Sequence, residues 1–178
     1  MLISVANLKE QYDKFTNFDD ELIENKLKAI EIAIRNYTNN KFQNRYIRFI
    51  ADVENGAIKG GSPYIVEGDT LEVSEGINKG LYVVDSFNDI MIQTKELLYN
   101  STDNIFTKVE YPLDIVEGAI DLLDWELIKK GKDNTGIASE TISRHSVSYV
   151  QKTNDNTVSG YPIELFNFCE GYKVMRTW

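Results

Sequence analysis

A chain of 178 residues, 42% hydrophobic and 26% charged, is long enough for one domain or a domain with an insert and apolar enough to fill a core. Eight Phe, ten Tyr and two Trp exclude the disordered class, which has few aromatics to bury. A net charge of −9 and a pI near 4.7 exclude a duplex reader that grips phosphates through clustered Lys and Arg, while leaving room for an acidic wall that stands beside DNA without holding it.

The opening "MLISVANLKEQYD" has neither a basic leader nor a long apolar core, and Cys169, the one cysteine, has no partner for an internal disulfide. No apolar run reaches the ~20 residues of a bilayer span. These features predict a cytosolic chain with soluble partners. The first element is a short helix in "SVANLKEQYDKF", capped by Ser4. A longer helix follows in "FDDELIENKLKAIEIAIRNYTNNKF", where Ile23, Leu27, Ile30, Ile34 and Tyr37 recur at steps of four and three. Asp19 or Asp20 can cap its start, and Asn39 and Asn40 supply its stop.

Between about Arg45 and Glu110 the period falls to two. "YIRFIADV", "YIVEGDTLEV", "GLYVVDSF" and "DIMIQT" predict short strands separated by Gly-, Asn- and Pro-containing turns, the pattern of a small antiparallel barrel. Helical period returns in "YPLDIVEGAIDLLDWELIKKG", with Pro112 at the first turn, Val116, Ile120, Leu123 and Leu127 as its stripe and Gly131 at its stop. Gly118 inside that helix costs about 1 kcal/mol against Ala and predicts a close crossing. "GIASETISRHSVSYV" then alternates as an extended strand without an evident partner in its own domain. The polar "QKTNDNTVSG" predicts a linker, and "YPIELFNFCEGYKVMRTW" a poorly ordered tail that orders on a partner. The divisions are therefore 1–44 with 111–135 as a helical core, 45–110 as an inserted β-domain, 136–150 as an arm, and 151–178 as linker and tail.

Little here is organised for catalysis. His145, the chain's one histidine, is flanked by Ser143 and Ser146, but a triad needs a nucleophile, a base and an orienting acid on a rigid scaffold, and no Gly-x-Ser-x-Gly elbow is present. One His and one Cys cannot make a zinc site. The acid pairs Asp19/Asp20 and Asp121/Asp124 fit a solvated helix face better than a Mg²⁺ site. "IKGGSP" lacks the lysine and the helix of a phosphate loop. Cys169 among apolar neighbours reads as packing. No cofactor is expected, and the chain is expected not to be an enzyme.

The order of phrases carries more. Ile34, Tyr37, Thr38 and Phe42 form "I-x-x-Y-T-x-x-x-F" at the end of the second helix. After the last helix, Gly136, Ile137, Ser139, Glu140, Ile142, Ser146, Val147, Ser148 and Tyr149 form "GI-x-SE-x-I-x-x-x-SVSY". In this order the chain resembles the phage head-tail connector family, also called head-completion or adaptor proteins, over about residues 1–45 and 110–150. "EGDTLEVSEGINKGLYVVDSF" resembles a small barrel insert carried by some relatives.

The resemblance implies an α+β fold: a helical bundle of about three to four helices with an inserted small antiparallel β-barrel-like domain and an extended C-terminal arm. It implies a non-enzymatic virion protein at the neck, assembled in the host cytoplasm as a ring of roughly a dozen copies beneath the portal after DNA packaging. Its partners would be itself, the portal protein and a tail-side stopper protein. Genomic DNA would pass through without sequence-specific binding, and no membrane would be involved. Ile142, His145, Val147 and Tyr149 on the arm and Leu165, Phe168, Tyr172 and Trp178 in the tail are the candidate partner-binding residues. The alternative is a peptide- or single-strand-binding module that uses Tyr46, Phe49, Tyr64, Tyr82 and Phe87 of the barrel.

Overall fold

The computed structural model of the chain describes residues 1–88, 90–130, the strand residues 139–142 and 145–148, and 157–175. The fold is α+β and contains a closed six-stranded antiparallel barrel. Its contacts divide it into two compact units, Met1–Glu24 with Lys41–Pro112, and Asn25–Asn40 with Leu113–Trp178. Residues 1–24 therefore group with the barrel, whereas the sequence pattern assigns them to a helical core. The units differ sharply in charge: the first holds nine Lys and Arg against seventeen Asp and Glu, a formal −8, and the second ten against eleven, −1.

In the first unit, α1 (Val5–Gln11) is capped as expected, the Ser4 hydroxyl accepting from the Asn7 N–H at 3.2 Å. A 3₁₀ turn (Asp13–Phe15) leads to α2 (Asp20–Thr38), and of the two candidate caps it is Asp19 that accepts from the Leu22 N–H. The barrel strands are β1 (Gln43–Glu54), β2 (Ala57–Lys59), β3 (Thr70–Val73), β4 (Gly80–Phe87), β5 (Met91–Thr94) and β6 (Ser101–Val109). Their order around the barrel is β1-β2-β5-β4-β3-β6. β1 and β2 form a hairpin, β3 to β5 a meander, and β6 returns to lie between β3 and β1 as the fourth strand of a Greek key. Closure gives every strand of the barrel two neighbours.

Alternate residues fill the interior: Val53, Ile58, Leu71, Val73, Val84, Ile92 and Phe106 are buried together. Every residue of β3 is buried, so its outer side is covered too; there the Met1 ammonium bonds the Thr70 hydroxyl, and Lys41 pairs with Glu72 at 3.2 Å. Beneath one rim lies Asn78, fully buried and fully bonded. Its amide donates to the Tyr99 carbonyl and the Ser101 hydroxyl, both at 2.7 Å, and accepts from the Tyr99 N–H at 2.8 Å. Ser101 in turn donates to Asn104 at 3.0 Å, which ties the β3–β4 loop to the start of β6.

The second unit is built on α2 and α3 (Leu113–Asp124). Leu27, Ile30 and Ile34 of the predicted α2 stripe are fully buried and Tyr37 is half-buried. On α3 the buried surface is wider than one stripe: Ile115, Ala119 and Leu122 are enclosed as completely as Leu123, while Val116 and Leu127 are half-buried. The helix ends in a π turn, Trp125–Lys129, in which the Lys130 N–H donates to the Trp125 carbonyl at 2.8 Å. That extra residue aligns side chains five apart. Lys129 pairs with Asp124 at 2.7 Å, and the Lys130 ammonium stands 5.5 Å from the Trp125 ring. Asp124 is thus buried in an ion pair instead of lying on a solvated face, whereas Asp19, Asp20 and Asp121 are exposed as expected.

The C-terminal region is not a loose tail. β9 (Thr157–Val158) and β10 (Tyr161–Pro162) pair across a two-residue turn, Ser159 and Gly160, both at positive φ as a type I′ hairpin requires. A 3₁₀ helix (Ile163–Tyr172) follows, with Phe166 and Cys169 buried. Phe166 touches Tyr37 at a 5.0 Å centroid distance and Tyr161 at 6.2 Å, and Tyr161 touches Trp125 at 5.5 Å. The chain is then pinned by the Val174 N–H donating to the Thr38 carbonyl at 2.8 Å and by the Asn40 amide donating to the Tyr172 carbonyl at 3.1 Å. These residues are too apolar to stay solvated, and α2 and α3 supply the surface that buries them.

Between α3 and β9, β7 (Ser139–Ile142) pairs antiparallel with β8 (His145–Ser148), Ile142 opposite His145 and Glu140 opposite Val147. The expectation of one unpartnered strand through 142–150 is corrected: β8 finds its partner just upstream in its own chain. The alternating period alone gives no sign of the reversal between β7 and β8.

Candidate interaction surfaces

His145 occupies the end of β8, paired in register with Ile142, and Val147 pairs with Glu140. Ser143, Tyr149 and Trp178 lie outside the described residues. The tail candidates sit elsewhere in the fold, within the second unit. Phe168 packs on α3: its ring atoms lie 2.5 Å from where a Cβ on Gly118 would stand, so the close crossing that Gly118 predicts is with this ring. The Tyr172 hydroxyl donates to Asp114 at 2.8 Å, and that hydrogen bond, followed by burial, raises its pKa. Leu165 and Phe168 are half-buried in the same segment. Their first role is to hold the unit together.

Cys169 is buried beside them, and burial first, then the charge of Glu170, pushes its thiol up to about 12. Since the thiolate is the reactive form, a maleimide or disulfide reagent at pH 8 should leave folded Cys169 unmodified and label it within minutes in denaturant. Rapid labelling of the native chain would contradict this packing.

One cleft of about 310 Å³ opens in the second unit between α2, the π turn and the β9–β10 turn, with Lys26, Ala33, Glu126, Lys130 and Tyr161 on its walls. Glu126 binds Lys26 at 2.8 Å and Lys130 at 3.0 Å. Burial alone would push Glu126 up, and these two ammonium groups outweigh it, so its pKa lies below the ordinary value. Burial, helped by the Glu126 charge, pushes Tyr161 up to about 12 and keeps its phenol protonated. The arrangement is a satisfied ion-pair cluster. Among the described residues, no group of three or more His, Cys, Asp or Glu side chains is placed to hold a metal ion.

The barrel exterior is different. Of the five aromatic candidates, Tyr82 is only 8% exposed, and Phe49 packs half-buried against the core, its ring stacked 5.4 Å from Phe106. Tyr46, Tyr64 and Phe87 are exposed, Tyr46 at 99% of its full area. Tyr46 owes this to an irregularity in the β1–β6 ladder, where pairing passes from Asn44–Lys108 directly to Arg48–Thr107 and leaves three β1 residues without a ladder partner. The irregularity is fixed at both ends. Asn44 donates to Glu110 at 2.8 Å while accepting from the Tyr46 N–H, and Arg48 donates to Thr107 at 3.0 Å. What sequence reasoning missed is aliphatic: Ile50, Ile77, Ile90 and Leu97 are all more than 60% exposed on this unit. Ile50 lies on β1, while Ile77, Ile90 and Leu97 lie in the connections between strands, where no period separates an exposed apolar residue from a buried one.

Searches of protein-family models and of curated proteins found no match to the chain.

Proposed function

We propose that the chain is a structural assembly protein, a head-tail connector of a phage particle, that forms a ring beneath the portal, continues the DNA channel and offers a platform to the tail-side stopper protein. The observation that carries the reading is the concentration of exposed apolar side chains on a barrel unit with a formal charge of −8, joined in one chain to the two phrases at 34–42 and 136–149. Exposed apolar surface of this kind marks a protein interface. The same negative charge repels the DNA backbone, which suits passage without adhesion. Among the described residues no helix is long and apolar enough to cross a membrane.

In this reading α2 and α3 supply the connector's helical core and the β7–β8 hairpin is its arm. A two-stranded sheet keeps one unpaired edge on each strand, and such an edge pairs readily with a neighbouring chain. The peptide-binding alternative keeps support from Tyr46, Tyr64 and Phe87, which are exposed. Its single-strand version is disfavoured by the charge, since strand binding needs a basic groove.

The test is head-tail joining in an infection complementation assay. Val147→Asp places a carboxylate directly opposite Glu140 and should abolish joining while the rest of the chain stays folded. His145→Gln should join normally, because pairing through the backbone does not use its imidazole. If His145→Gln folds and fails while Val147→Asp succeeds, the arm is not the assembly element.

A further inference from the structure

We propose that the barrel carries a preformed docking groove for an extended partner segment in which an aliphatic side chain is flanked by Lys or Arg. The inference rests on the barrel's geometry and stands apart from the connector reading. The groove, about 350 Å³, runs between the β3–β4 loop and the first half of β6; Arg48, Val73, Glu75, Ile77, Asp103 and Ile105 lie on its walls. Ile77 is 68% exposed on one wall and Ile105 is 38% exposed on the other. Ile50, the register partner of Ile105 on β1, is 67% exposed, so the apolar surface continues across both strands.

Exposed isoleucines on a flexible loop would be unremarkable, but these walls are fixed. The buried Asn78 holds the β3–β4 loop to Tyr99 and Ser101, and Asn104 closes the network by donating to the Ala51 carbonyl at 3.4 Å and the Ser101 carbonyl at 3.2 Å. Asp103 stands at φ 56 with its N–H donated to the Asp52 carboxylate at 2.9 Å. A groove held in one shape lowers the ordering cost of binding.

Charge selects the occupant. Glu75 and Asp103 rim the isoleucines, and neither carboxylate has a counter-ion among the described residues; Arg48, the cation in the groove, donates its Nε–H to Thr107. A segment bringing an aliphatic group to Ile77 and Ile105 would place adjacent Lys or Arg side chains beside these two carboxylates. The β3–β6 ladder ends at Val73–Phe106, so the stretch of β6 that lines the groove is paired with β1 alone, and the side chains named above set the selectivity.

The probe is the hexapeptide Lys-Val-Lys-Leu-Lys-Val, titrated into the full ¹⁵N-labelled chain, with Glu-for-Lys and Ser-for-aliphatic peptides as comparisons. Saturable shifts should be confined to Arg48, Val73–Ile77 and Ser101–Ile105. Ile77→Ser with Ile105→Ser should weaken binding about tenfold or more. Glu75→Gln with Asp103→Asn should weaken it several-fold and reduce its salt dependence; Asn retains the left-handed backbone that position 103 needs. Both isoleucines are exposed, so the amide spectrum should otherwise match the parent. The proposal is overturned by equal binding of the Glu peptide, by shifts outside the groove, by no saturation at millimolar peptide, or by self-association that the isoleucine variants abolish, which would assign the groove to a second copy.

Discussion

Truncation after Val158 should unfold the second unit, not merely trim it. The cut removes Tyr161, Phe166 and Cys169, all buried, and with them the ring contacts to Trp125 and Tyr37. It also removes the Val174 N–H from the Thr38 carbonyl and the Tyr172 hydroxyl from Asp114. Losing one buried aromatic costs about 3–5 kcal/mol, and the truncation loses more than one. The point substitution Phe166→Ala isolates the smallest part of this effect. At about 2–4 °C per kcal/mol for a chain of this size, it should lower the melting temperature by roughly 10 °C. Circular dichroism at 222 nm and near-ultraviolet dichroism follow both variants. A truncated chain that melts like the parent would show that Gly160–Met175 is an appendage.

Gly118→Ala should destabilise the chain although it raises helix propensity. In an open helix position the change would gain about 1 kcal/mol. Here the new methyl would stand 2.5 Å from three atoms of the Phe168 ring, far inside contact distance, and the ring also stacks against Phe166. Overpacking of this kind costs about 1–3 kcal/mol, so the clash outweighs the propensity. Phe168→Leu in the same chain should recover part of the loss, giving a coupling energy that additive effects would not. Gly171→Ala is the control, since nothing lies within 4 Å of its Cβ position. A Gly118→Ala variant as stable as the parent would mean that Phe168 is free to move away.

The helices were legible because their signals are local. Ile23, Leu27, Ile30 and Ile34 share a face through spacing alone, and Asp19 stands where a cap is needed. The closed barrel was legible as a class, from short β-rich runs between Gly and Asn turns, but its Greek-key order was not. That order depends on β1 pairing with β6 across the whole insert, and β6 is disguised by Asp103 and Asn104, residue types depleted in strands. Asp103 sits at positive φ within it, and Asn104 is bonded inward.

The tail was misread for a different reason. Its polar preface, "QKTNDNTVSG", ends in a Ser-Gly turn that pairs β9 with β10, and only the three-dimensional proximity of Tyr37 and Trp125 shows why Phe166 and Tyr161 are not solvated. Asn78 and the isoleucine groove above it had no periodic signal at all. A buried amide in "EGINKG" looks like any turn residue until the groups it satisfies are known.

The connector reading is tested most directly by negative-stain electron microscopy of the purified full chain, alone and mixed with the portal protein of the same virus, with mass photometry on the same samples. The account predicts closed rings of many copies seated coaxially on the portal, with Val147→Asp leaving the portal bare. A chain that stays monomeric and leaves the portal undecorated at concentrations well above those of assembly would contradict it.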